Sequence, residues 1–327
     1  MAAVVEVLPV LDISDLAAAR AQMLQMREAM PAFEPPASLD ITKRSIPGPA
    51  GDPDVEITVI RPRGAAAEGP GGAAAEGPGG AAEGPGGAAE RPGLLWIHGG
   101  GFVLGDVEGD MPVAAGLAEG AGAVVVSVEY RLAPEHPFPA PVEDCYAALT
   151  WTAEHAAELG IDPGRLAVGG LSAGGGLAAA VALMARDRGG PALCFQLLDI
   201  PEVDDRLSTP SMKQFTDTPL WHHPNAILSW EAYLGPGHNG DTSPYAAPAR
   251  ATDLSGLPPA YVVTCEFDPL RDEGIEYAQR LMQAGVPTEL HHFPGTFHGS
   301  SGAGAGTAIS ERMVAERTEA LRRALHK

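Results

Sequence analysis

Short apolar runs recur along this chain, each followed by a stretch whose apolar residues fall at helical spacing. Val55-Glu-Ile-Thr-Val-Ile60 alternates with a period of two and predicts a strand with one covered face. Further on, Leu94–Ile97, Ala123–Val128, Leu166–Val168, Leu193–Leu198 and Ala260–Thr264 are nearly continuous apolar runs, which predict strands buried on both faces, and Thr288-Glu-Leu-His-His-Phe293 reads as a further strand. Between them, helical patterning covers 14–30, 140–159 up to Gly160, 174–188, 222–234, 271–284 and 310–326. Buried strands alternating with helices imply an α/β fold, a mostly parallel sheet flanked by helices on both faces. In such a sheet the chemistry belongs on loops at the carboxyl ends of the strands.

The pattern also divides the chain. Residues 1–45 read as an N-terminal lid or cap segment, with Ser14 capping a helix that places Leu16, Ala19, Met23, Met26 and Met30 on one face. That face predicts core packing or, through Met23 and its flexible neighbours, contact with a substrate chain. Residues 46–327 read as the catalytic domain, and 203–234 as a second cap segment. Within the domain, 64–93 repeats Gly-Pro-Gly-Gly-Ala-Ala-Glu, a composition too poor in apolar surface to offset ordering, so a mobile insert is expected there.

Charge narrows the partners. With 21 Lys+Arg against 42 Asp+Glu the formal net charge is −21, which repels nucleic acid and anionic membrane surfaces and favours neutral substrates. The amino terminus lacks a basic, long-apolar leader and no run of about 18 apolar residues occurs, so the expected location is the cytoplasm with no membrane span. Cys145, Cys194 and Cys265 lie far apart and are expected as reduced thiols.

Candidate chemistry then concentrates at four places. Gly170-Leu-Ser-Ala-Gly174 fits G-x-S-x-G between a strand and a small-residue helix, the context that lifts a serine hydroxyl above a sheet. His98-Gly-Gly-Gly-Phe102 follows a strand and leaves backbone amides unshielded. Gly100 and Gly101, with Ala173, are the expected oxyanion donors. No Lys or Arg lies near the triple glycine, which disfavours a phosphate loop. A serine needs a base, and the base needs an orienting acid. His298 follows strand 288–293 on a glycine-bearing loop, and Asp268 follows strand 260–264. His291 and His292 fall inside the strand, and His222 and His223 in the second cap segment, where structural roles are expected. The order Ser172, Asp268, His298 is that of α/β-hydrolases.

With these residues, and with Tyr130-Arg-Leu-Ala-Pro-Glu-His-Pro-Phe-Pro-Ala-Pro-Val-Glu-Asp144, Asp268-Pro-Leu-Arg-Asp-Glu-Gly274 and His298-Gly299, the chain resembles the hormone-sensitive-lipase-like esterases over roughly 94–300. The resemblance implies an α/β-hydrolase fold and a carboxylesterase acting on short- to medium-chain esters. It assigns the triad to Ser172, Asp268 and His298. No cofactor and no metal are implied, and a homodimer is an expected assembly. Leu171 and Ser300 depart from the family's usual residues beside the triad. Substrate contacts are expected from Phe215, Leu220, Trp221 and Met23. Two other readings stay open: a binding protein that has lost turnover, against which the retained His298 argues, and amide hydrolysis on the same triad.

Overall fold

The computed structural model describes residues 11–29, 31–64 and 90–327. Met30 and nearly all of the repeat tract therefore lie outside the described residues. Eight strands form the described sheet: β1 (Leu39–Ile46), β2 (Val55–Pro62), β3 (Arg91–Ile97), β4 (Val124–Glu129), β5 (Ile161–Leu171), β6 (Phe195–Asp199), β7 (Ala260–Phe267) and β8 (Thr288–Phe297). Their spatial order is β1-β2-β4-β3-β5-β6-β7-β8. β2 runs antiparallel to both β1 and β4, and every other pairing is parallel.

That order contains a reversal. From β3 the chain moves outward to β4, then returns to β5 on the other side of β3. Helix α2 (Val107–Ala121) follows β3 and helix α5 (Ala173–Asp187) follows β5, and they cover opposite faces. Leu95 and Ile97 share a core with α5, with α3 (Ala140–Glu154) and with α8 (Arg271–Gln283). Leu94 and Trp96 share the other core with α2 and with α10 (Ala308–Leu325). The side-chain alternation of one strand thus feeds both cores, and helices departing to opposite faces open a crevice at the carboxyl ends of β3 and β5. A third, smaller cluster sits elsewhere: Ile13 and Ala19 pack with Val103, Leu104, Met212, Trp221, Ala226 and Leu270.

Several elements differ from the pattern reading. β1 lies inside the first 45 residues yet joins the sheet. Only its end residues Leu39 and Ile46 are buried, so no alternation announced it. α2 was hidden by Pro112, Gly116 and Gly120. It forms because Asp106 accepts the Gly109 amide at 2.6 Å, and because Met111, Ala114, Leu117 and Ala118 bury against the sheet. The single helix expected over 140–159 breaks at His155, leaving α3 and the short α4 (Ala156–Leu159). There the His155 ring donates back to the Trp151 carbonyl at 2.9 Å. β8 continues to Phe297 rather than ending at 293, so His298 directly follows a strand. The Gly/Ala-rich stretch after it opens with the short helix α9 (Ser300–Ala303).

Helix α1 (Leu16–Ala29) is docked by charge, not by methionine. Its cap is Asp15, which accepts the Ala18 amide at 3.0 Å, and not Ser14. Ala19 is its one buried residue, while Met23, Leu24 and Met26 are exposed. Arg20 instead reaches the carbonyls of Val103 and Ala133, each at 3.0 Å, and pairs with Glu135. One turn pair further on, Arg27 pairs with Asp106 at 2.6 Å.

Beneath the sheet's carboxyl edge lies a buried polar cluster. Arg317 of α10 pairs with Asp199 at the end of β6, and the Trp96 indole N–H donates to Asp110 of α2. Burial pushes the Asp110 carboxyl up to about 7. A carboxyl whose folded pKa is raised binds its proton more tightly than the unfolded chain does, so its contribution to stability falls as pH rises from about 4 to about 7. Asp110→Asn keeps an acceptor for Trp96 and removes this titration. The variant should gain melting temperature relative to wild type at pH 8 compared with pH 5, and equal offsets at both pH values in a calorimetric scan would contradict the assignment.

Candidate active site

β5 ends in a turn that only glycine-flanked chain can make. Ser172 adopts φ 58°, a left-handed conformation unfavourable for any residue with a side chain. It is held there by three main-chain bonds: its amide donates to the Asp199 carbonyl at 2.8 Å, and its carbonyl accepts from Gly176 at 3.0 Å and Glu202 at 3.1 Å. The glycines allow the approach. A Cβ on Gly174 would lie 2.1 Å from the Ile97 carbonyl oxygen and 2.4 Å from that of His98, and one on Gly170 would lie 2.1 Å from the Gly174 oxygen. The turn therefore presses directly on the end of β3.

Three side chains meet at this point. The Ser172 hydroxyl stands 2.8 Å from His298 Nε2, and His298 Nδ1 stands 2.8 Å from Asp268 Oδ2. All three are buried. An Nδ1–H donated to the carboxylate leaves Nε2 unprotonated and facing the hydroxyl, the tautomer a general base requires. The other Asp268 oxygen accepts the Leu270 amide at 2.9 Å, which fixes the carboxylate plane. Asp272, the neighbouring acid, accepts from the Ser211 amide instead. His291 pairs with Glu289 and Glu316, His292 meets Thr264, and His222 caps α7 (His223–Leu234), so these histidines are engaged away from the serine.

The triple-glycine loop runs beside the serine. A Cβ on Gly99 would come within 3.3 Å of the Ser172 Cβ. Gly100 and Gly101 take φ 126° and 57°, and Phe102 follows at 61°. Among the described residues the amides of Gly100, Gly101 and Ala173 donate to no protein acceptor. The loop is braced from behind. Gly100 carbonyl accepts from Val103 and Leu104, and Gly101 carbonyl accepts the Ser229 hydroxyl at 2.7 Å. The His98 ring donates Nδ1–H to the Gly99 carbonyl at 2.8 Å and stacks on Tyr130 at 4.3 Å. Burial pushes the His98 imidazole down to about 4, so it stays neutral and adds no charge to the site.

The expected substrate-lining residues divide. Trp221 is buried, with its ring centroid 6.1 Å from that of His298 and its ring edge filling the space a Gly101 Cβ would occupy. Leu220, at φ 62°, points Cδ1 toward Gly299 beside the histidine. Phe215 packs edge-on against Phe267 at 6.2 Å and under the Arg271 guanidinium at 5.3 Å. Met23 is on the exposed side of α1. A methionine stripe at helical spacing predicted the reverse, but the two arginines of that helix find carbonyl and carboxylate partners that orient it otherwise.

Two buried acids lie near the triad: Glu202, which sequence reading passed over, and Glu273, which it met only within the Asp268–Gly274 motif. Glu202 follows Pro201 just beyond β6, and Glu273 sits in the first turn of α8; both are inaccessible to solvent. The one available signal was a carboxyl three residues past an apolar strand. Among the described residues no three His, Cys, Asp or Glu side chains converge in a way that would hold a metal ion, and no helix is long and apolar enough to cross a membrane.

A family model described as alpha/beta hydrolase fold matches residues 94–301. Carboxylesterase NlhH of Mycobacterium tuberculosis is 46% identical over 239 residues, 71% of this chain and 74% of that protein. Carboxylic ester hydrolase LipN of the same organism is 38% identical over 305 residues, 90% of this chain and 74% of its own length. Among solved structures, a bacterial heroin esterase superposes with TM-score 0.90 at 52% identity, covering 100% of this chain and 97% of that one.

The close approach at Gly174 makes a sharp prediction. Gly174→Ala should abolish labelling of Ser172 by a fluorophosphonate probe and destabilise the fold by about 1–3 kcal/mol through overpacking. Gly116→Ala, at an exposed site in α2 where a Cβ meets nothing, should label normally and be stabilised by about 0.5–1 kcal/mol. Equal labelling of the two variants would show that the turn tolerates a methyl group.

Proposed function

This chain belongs to the α/β-hydrolase fold family, in its hormone-sensitive-lipase-like group, and on that footing we propose that it is a serine carboxylesterase acting through an acyl-enzyme. The observation that carries the reading is the continuous relay from Ser172 Oγ to His298 Nε2 and from His298 Nδ1 to Asp268, with both links at 2.8 Å. Ser172 Oγ attacks the ester carbonyl carbon while its proton moves to His298 Nε2. The imidazolium so formed is stabilised by Asp268, which keeps its negative charge. The carbonyl oxygen becomes an oxyanion and accepts from the amides of Gly100, Gly101 and Ala173, which have no competing acceptor among the described residues. Donors placed in advance where charge develops need no reorganisation during reaction. Ala173 adds to this as the first residue of α5, where the helix dipole is positive.

Collapse of the tetrahedral species breaks the carbon–oxygen bond of the ester, and the alcohol leaves with the proton from His298. Water then repeats the sequence on the acyl-Ser172, with His298 again taking and returning a proton. Trp221 and Leu220 wall the reacting centre with fixed apolar surface, which suits short to medium acyl groups. The net charge of −21 disfavours anionic esters. Residues 11–29 and 203–234 act as the cap in this reading, while β1 belongs to the sheet, and the contact of the two segments through Ile13, Ala19, Met212, Trp221 and Ala226 supports it.

Aryl esters of increasing acyl length should give a maximum at short or medium chains. Ser172→Ala and His298→Ala should each lower kcat by about 10⁴-fold or more while the melting temperature holds. Undiminished turnover in the folded Ser172→Ala protein, or an optimum on long-chain triglyceride, would refute this reading.

A further inference from the structure

Between the serine turn and α8 the structure buries a carboxyl that the reaction scheme above does not use. Glu202 is 0% exposed. Its amide donates to the Ser172 carbonyl at 3.1 Å, and its own carbonyl lies against α5, 1.9 Å from where a Gly176 Cβ would stand. Neither oxygen of its carboxyl meets a hydrogen-bond partner among the described residues. Ile200, two residues earlier, takes φ 46°, so the segment that delivers this carboxyl is itself strained. A side chain this expensive to bury is retained beside the reacting residues at the end of the strand whose last carbonyl holds the Ser172 amide.

The ionisable groups that face it are all acidic. From α8 comes Glu273, whose Oε1 accepts the amides of Val203 at 2.8 Å and Asp204 at 3.1 Å while Oε2 is unpartnered. From the turn after β7 comes Asp268, the acid of the triad. On its own segment lies Asp204, which is neutralised by Arg206 at 2.6 Å. From α5 the neighbour is Gly176, which brings no charge. Among the described residues no cation faces the Glu202 carboxyl. Asp268 has His298 and the Leu270 amide, and Glu273, which burial also pushes well above the ordinary carboxylate range, has two amides. Glu202 is the member of the group with nothing to stabilise a charge.

We propose that Glu202 is a positioning residue of the ester-cleaving site, carried as an uncharged acid so that Asp268 is the only carboxylate acting on His298. The inference rests on the assignment of Ser172, Asp268 and His298 made above. Burial raises the Glu202 carboxyl well above its ordinary range, and the negative charge of Asp268 acts in the same direction. The uncharged state has two consequences. A second anion next to Asp268 would hold the imidazole protonated and remove the base at neutral pH. It would also oppose the oxyanion that develops above the same turn, in surroundings where charges are weakly screened. When rising pH does ionise Glu202, an unpaired buried charge pulls the 200–204 segment toward solvent and loosens the bond from the Glu202 amide to the Ser172 carbonyl.

The test uses the full-length protein and two replacements, Glu202→Gln and Glu202→Met. The first keeps shape and polarity, and the second keeps volume without a buried polar group, so that one folded variant suffices. Fluorophosphonate labelling of Ser172 comes first. Wild type that folds but neither labels nor turns over an aryl acetate would sink the triad assignment itself. With labelling established, kcat/KM is followed against pH. The acid limb, which reports His298, should coincide with wild type within about 0.3 pH units in both variants. The alkaline limb should move upward by about one unit or more, leaving each variant at least about fivefold faster than wild type where wild type has lost nine-tenths of its rate. An acid limb displaced downward by about one unit would mean that Glu202 is a carboxylate supporting the imidazolium. Coincident alkaline limbs would mean that its ionisation does not touch the reaction. Either result would overturn the inference.

Discussion

The close contact between the serine turn and the last carbonyls of β3 is the constraint on which the rest of this site depends. Where Gly174 meets the oxygens of Ile97 and His98 there is room for a hydrogen atom and for nothing larger. That contact fixes how far Ser172 stands above the sheet, and it brings the loop after β3 alongside the loop after β5. It also points the amino end of α5 at the space between them. The left-handed backbone of Ser172 persists because neighbouring chain holds both its amide and its carbonyl.

The reversal in strand order explains why the contact lies where it does. β3 and β5 are adjacent and parallel, but the helices that follow them leave toward opposite faces, so the carboxyl ends of these two strands face an open crevice. β6, β7 and β8 then add one component each at the same edge. The end of β6 supplies the Asp199 carbonyl that holds the Ser172 amide, the turn after β7 supplies Asp268, and the residue after β8 is His298. Arg317 reaches from α10 to the Asp199 carboxylate, which ties the closing helix to the strand end nearest the nucleophile.

Charge is distributed with evident selectivity around this edge. His98 is neutral under the triple-glycine loop, and Asp110 beside Trp96 is pushed up to about 7. Several carboxylates pair with arginines at the surface instead, among them Glu135 with Arg20 and Glu143 with Arg188. Helix α1 illustrates the same economy of partners, since Arg20 satisfies two loop carbonyls and one carboxylate at once. By holding Val103 and Ala133 it stiffens the chain immediately after the triple glycine, which links the amino-terminal segment to the loop whose amides face the serine.

The parallel sheet, its helical layers and the three residues of the relay were all legible in the chain. Buried parallel strands leave unbroken apolar runs, and the relay residues follow strand ends within recognisable glycine-bearing turns. Elements that rest on tertiary contacts were not legible. β1 has no apolar alternation because only its ends are covered, and α2 carries a proline and two glycines that sequence propensity counts against it. The side of α1 that faces the protein was misjudged because arginine docking depends on carbonyls presented by distant loops. Sequence by itself determined which groups could serve as nucleophile, base and acid, since these capacities are properties of residue type and local turn. Tertiary structure alone decided what surrounds each of its many carboxyls. Glu202 and Glu273 are the same letter and both buried, yet the packed fold gives the Glu273 carboxyl two amide donors and the Glu202 carboxyl none among the described residues.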